Sequence, residues 1–100
     1  MKIRAVIISD VVWDKMEDLF FYLTEELKLS EEAAFRKTAK MRLFVHSFSA
    51  PVNHAKCRSK IWCELGYRCA VFEKAWVFAY EVFDEGVIVR DMMHGALLKE

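Results

Sequence analysis

The chain has 100 residues with fifteen basic and fifteen acidic side chains, so it is neutral overall and the right size for one domain with its own core. Apolar residues make up 55%, above the roughly 45–50% of ordinary globular chains, which predicts an aromatic-rich core or a surface kept for a partner. No apolar run approaches the roughly 18 residues of a membrane span, and Val6–Ile8 is too short for a signal-peptide core, so the expected location is cytoplasmic.

Ile3–Ile8 is short, apolar and rich in β-branched residues, and predicts a strand buried on both faces. Ser9 and Asp10 then offer an N-cap, and Asp14, Glu17 and Asp18 place negative charge in the early turns. Val12, Met16, Leu19, Phe20, Leu23 and Leu27 recur at helical spacing, which predicts an amphipathic helix over residues 11–28. A second helix starts at Ser30, with Glu31 and Glu32 against its dipole. Ala34, Thr38, Met41, Val45 and Phe48 form its apolar face, while Arg36, Lys37 and Lys40 point away. The short Leu29-Ser30 joint makes the pair an antiparallel hairpin.

Pro51 and Asn53 mark a loop. After it, His54, Lys56, Arg58 and Lys60 alternate with smaller residues, so an extended conformation would aim all four one way. Tyr67–Phe72, Ala75–Phe83 and Val87–His94 read as three antiparallel strands. The turns between them are Glu73-Lys74 and Asp84-Glu85-Gly86, and the glycine suits a positive-φ position. In the middle strand Trp76, Phe78, Tyr80 and Val82 share the face expected to meet the helices. The expected fold is thus α+β, a single domain in the order β-α-α-β-β-β. An antiparallel helix hairpin packs on one face of a small, mostly antiparallel twisted sheet.

Cys57, Cys63 and Cys69 fall six apart. An odd count without a C-x-x-C pair argues against a disulfide framework and a structural zinc site. It predicts small buried or half-buried hydrophobes in a reducing compartment. No metal or other cofactor is expected. Between Ala33 and Cys63 there is no acid but seven bases, Arg36, Lys37, Lys40, Arg42, Lys56, Arg58 and Lys60. Such a block suits a polyanion or an acidic protein segment, or else a solvated helix face paired with acids elsewhere in the fold.

The element order, Gly66-Tyr67-Arg68, Val77-Phe78-Ala79-Tyr80-Glu81-Val82 and the run Val87–Gly95 together resemble the RelE/ParE toxin superfamily, in particular its ParE-like, plasmid-stabilisation branch. The resemblance implies the toxin of a bacterial toxin–antitoxin pair, neutralised by a cognate antitoxin that wraps the helix hairpin and sheet. It implies one of two activities, inhibition of DNA gyrase by binding or ribosome-dependent cleavage of mRNA. On the nuclease branch the 2′-hydroxyl attacks the adjacent phosphate, so the protein supplies only proton transfer and positive charge. Arg58, Lys60, Arg68 and His94 are the candidates for that set. Against it, the tail His94-Gly95-Ala96-Leu97-Leu98-Lys99-Glu100 has neither the Arg nor the Tyr that nuclease-type members carry there. A neutral chain is also poorly suited to a dense phosphate surface.

The favoured expectation is therefore a binding toxin aimed at gyrase rather than at the ribosome and mRNA. The third reading is an inactive homologue that keeps only partner binding. Arg36, Lys37, Lys40 and Arg68 are the candidate antitoxin contacts, along the basic region and the sheet edge. The apolar Ala96-Leu97-Leu98 packs back on the domain or touches a partner. A homodimer is compatible with all of these, and no membrane partner is expected.

Overall fold

In the computed structural model, which describes residues 3–97, the elements follow in the order β1 (Ala5–Ile8), α1 (Asp10–Phe21), α2 (Glu31–His46), α3 (Lys60–Glu64), β2 (Arg68–Phe72), β3 (Trp76–Val82) and β4 (Gly86–His94). The four strands form one sheet in the order β1-β4-β3-β2, with β1 parallel to β4 and the other pairs antiparallel. This is the expected α+β arrangement.

Helix α1 continues through a π-helical turn, Tyr22–Glu26, before Lys28 reverses the chain with φ 59°. Helix α2 starts where the sequence places it, because the Ser30 hydroxyl accepts the Ala33 N–H at 3.1 Å. All five residues of its apolar face, Ala34, Thr38, Met41, Val45 and Phe48, are buried. Met41, Val45 and Phe48 join Val12 and Met16 of α1 on Phe78, Tyr80, Val87, Val89 and Met92 of the sheet. Aromatic stacking adds direction to that burial, with Phe48 and Tyr80 rings 4.8 Å apart and Phe44 lying between Phe72 and Phe78.

Strand β1 is not buried on both faces. It is a sheet edge, so Val6 and Ile8 turn toward the core while Ile7 remains 58% exposed. The β3–β4 register shifts at Ala79/Tyr80, which pair with Asp91 and Val89 and leave Arg90 out of register. Arg90 then pairs with Glu81 at 2.8 Å. Gly86 does not take the positive φ expected of a turn glycine; it opens β4, buried, directly beside its β1 partner Ala5.

The largest departures fall between α2 and β2. The basic alternation is extended only as far as Cys57, with Lys56 bridged to Arg68. The chain then bends at Arg58-Ser59 and makes the short helix α3, so the four basic side chains do not share one direction. A disulfide joins Cys57 to Cys69, contrary to the reading of three free thiols; only Cys63 is free, and it is exposed. The bridge forms because the Lys56–Arg68 pairing lays residues 55–57 along β2, which brings the two Cα atoms to 4.9 Å. Cys57 and Trp62 thereby cover Ala79 on the sheet face away from α1 and α2, forming a second small core with Tyr67, Val77 and Met93.

Candidate functional site

The sheet divides the candidate residues. On the helix side, alternation along β2 places Arg68 with Ala70 and Phe72. Its guanidinium donates to the His54 carbonyl at 3.4 Å. His94 lies across from Trp76, whose ring it meets edge-on at 5.2 Å, and its Nδ1 accepts the Ala96 N–H. Arg68 pairs with Tyr80 and His94 with Trp76, so they stand four residue steps apart along β3, about 13 Å at strand rise.

Arg58 lies on the opposite side. With Lys56, Ser59, Trp62 and Lys74 it lines a cleft of about 500 Å³ over Cys69, Val71 and Val77. Lys60 begins α3 and is exposed. The four residues that a nuclease would require therefore do not converge. The cleft itself gathers three cations, Lys56, Arg58 and Lys74, but no His, Tyr, Asp or Glu lines it. Such a site can hold an anion, and the only side chains in it suited to exchange a proton are the lysines, with no His, Tyr or carboxylate beside them.

Arg36, Lys37 and Lys40 are all exposed on α2. Lys37 reaches the β2–β3 turn, where it lines a small hollow with Phe72, Glu73 and Trp76. Arg36 is spanned to Glu32 at 3.6 Å, an exposed i,i+4 pair of small energetic weight. Beyond Arg68 the outer edge of β2 pairs with no further strand among the described residues, and Val71 there is 57% exposed. A basic helix flank beside an open strand edge can receive an extended acidic segment. At the other end, Ala96 and Leu97 border an apolar groove with Leu19, Tyr22, Trp76 and Met92. Leu98–Glu100 lie outside the described residues.

One cluster escaped the sequence reading. The Tyr80 hydroxyl, fully buried, accepts the His54 backbone N–H at 2.8 Å and lies 2.8 Å from its Nδ1. A single O–H proton serves one acceptor, so we assign it to Nδ1 of a neutral His54 ring. Arg4 closes the cluster through Phe48 O and Asn53 Oδ1. Nothing local in the sequence pairs residue 54 with residue 80; only the folded sheet does.

Burial, and next the Arg4 guanidinium, push the His54 pKa below its ordinary 6.5. The unfolded chain therefore takes up this proton first as pH falls. The stability that depends on the neutral ring is fully present above about pH 6.5 and is lost as pH drops toward the depressed folded value. Urea midpoints measured from pH 7.5 to 5.5 should fall for the native chain and fall less steeply for His54→Gln. Equal slopes would remove His54 as the cause.

No protein-family model and no curated protein sequence matches the chain. Among the described residues no helix is long and apolar enough to cross a membrane, and no group of three or more His, Cys, Asp or Glu side chains gathers at metal-binding distance.

Proposed function

We propose that the chain is a ParE-like toxin of a bacterial toxin–antitoxin (plasmid-stabilisation) module, which inhibits its target by binding and is silenced by a cognate antitoxin. The observation that carries this over RNA cleavage is the separation of Arg58 from Arg68 and His94 by the sheet. In-line attack by a 2′-hydroxyl needs proton transfer and charge stabilisation within one site. The basic cleft offers charge without a His, Tyr or carboxylate beside it, and His94 is turned to Trp76 and the Ala96 amide. Binding imposes no such convergence. The order β-α-α-β-β-β, with a helix hairpin on one sheet face, supports the family resemblance, and DNA gyrase is the target that resemblance implies.

We assign the antitoxin's acidic segment to Arg36, Lys37 and Lys40 and to the edge of β2 beyond Arg68, near Val71. Reversing the three α2 charges should weaken its binding roughly tenfold or more and flatten the salt dependence; unchanged affinity would overturn that placement. For the activity, purified protein should block supercoiling by gyrase in a cell-free assay and leave translating mRNA intact. Cleavage of mRNA that Arg68→Ala abolishes would establish the nuclease instead. Unimpaired growth on expression without an antitoxin would leave an inactive homologue that only binds.

A further inference from the structure

The outer face of the helix hairpin has no partner among the described residues, yet it has the chemistry of an interface. A groove of about 430 Å³ runs between α1 and α2, lined by Trp13, Phe20 and Phe21 on one helix and by Phe35, Thr38 and Arg42 on the other. Trp13, Phe21 and Phe35 are 43%, 48% and 59% exposed. Contiguous aromatic exposure of this kind is uncommon on a monomer, and Trp and Arg are both enriched among the residues that anchor protein interfaces. Arg42 is held at the groove by its position over the Phe35 ring, 5.3 Å from the centroid.

The charges identify the occupant. The α1 wall carries Asp14 and Glu17, and the α2 wall carries Arg42. Among the described residues none of these three has an ion-pair partner. A face that is acidic on one helix and basic on the other complements itself. A two-fold axis can lie in this face in two ways. Set across the helices, it stacks α1 on α1 and acid on acid. Set along the groove, it lays each α1 over the partner's α2, with Glu17 of each copy opposite Arg42 of the other and the aromatic rows meeting at the centre.

We propose that this face is the contact between two copies of the chain, related by a two-fold axis along the α1–α2 groove and closed by reciprocal Glu17–Arg42 pairs around Trp13, Phe21 and Phe35. The proposal uses none of Arg36, Lys37, Lys40 and Arg68, but on the toxin reading an antitoxin that wraps the helix hairpin competes with the second copy for this face.

Its test is sedimentation equilibrium on the full chain, with circular dichroism confirming that each variant is folded. The native protein should dimerise at micromolar concentrations. Glu17→Arg sets Arg against Arg at both contacts, and Arg42→Glu sets acid against acid, so each variant alone should dimerise at least roughly tenfold more weakly. Mixed together, the two variants restore an opposite pair at both contacts, and the mixture should form a heterodimer of native strength. A native chain that stays monomeric at several hundred micromolar would overturn the proposal. So would folded single variants that dimerise like the native chain, or a mixture no tighter than its components.

Discussion

Gly86→Ala is expected to be the most damaging single-methyl change in the molecule. Gly86 is buried at the start of β4, where β1 lies parallel and Ala5 is its register partner. A Cβ at this position would overlap the Ala5 carbonyl oxygen and sit 3.0 Å from both the Ala5 carbonyl carbon and its nitrogen. Those atoms are backbone, so no rotamer change relieves the overlap; β1 must move away. Movement would break the parallel pairing of residues 5–8 with 86–89 and lift Val6 and Ile8 off the core. Overpacking of a buried site typically costs about 1–3 kcal/mol, and loss of strand pairing adds to it. We expect about 3 kcal/mol or more, a large part of the roughly 5–15 kcal/mol that holds a domain folded. Urea denaturation of Gly86→Ala beside Gly95→Ala checks this. At Gly95 the added carbon meets only the Ala75 carbonyl oxygen, at 3.3 Å, so the loss there should be much smaller. Equal midpoints for the two variants would show that β1 yields without cost.

That glycine also marks the boundary of what local pattern can reveal. Helix α2 was legible because five apolar residues at helical spacing and a serine cap all agree, and each of the five is buried. The aromatic face of β3 was legible for the same reason, since strict alternation admits only two orientations. Gly86 was legible only as a turn glycine, because its reason for being small is a backbone eighty-one positions earlier. The β2–β3 turn shows the converse. Glu73 and Lys74 both adopt positive φ, 50° and 62°, with neither Gly nor Asn to suggest it. The strands it joins impose that shape.

The candidate site failed to read through for a related cause. Arg58 and Arg68 are close in sequence and both basic, but the bend at Arg58-Ser59 and helix α3 send the chain under the sheet between them. A reversal of that kind changes the face on which a residue lands while leaving composition and spacing untouched. The Tyr80–His54 contact is hidden likewise, since it joins a core strand to a loop twenty-six residues away.

The second large expected effect follows from the disulfide. Cys57 and Cys69 enclose a loop with a sequence separation of 12. Closing a loop of that length in the unfolded chain contributes about 3 kcal/mol by chain entropy. The native contacts it accompanies are few: the Lys56–Arg68 pairing, made by two backbone hydrogen bonds of 3.2 and 3.1 Å, and the packing of Cys57 and Trp62 with Ala79, Tyr67, Val77 and Met93. With so thin a layer over the outer sheet face, the covalent link is a large share of what holds residues 55–66 in place. Cys57→Ala/Cys69→Ala should therefore lose about 2–3 kcal/mol in urea, and a reductant should lower the native midpoint by a similar amount without affecting the double variant. Cys63→Ala belongs in both backgrounds, because an exposed thiol six residues from each partner can exchange into the bridge. The loss should also appear at the basic cleft, whose walls include Lys56, Arg58 and Trp62. Amide exchange in residues 55–66 should speed up on reduction while α2 stays protected. A native midpoint indifferent to reductant would mean that packing alone seats this segment.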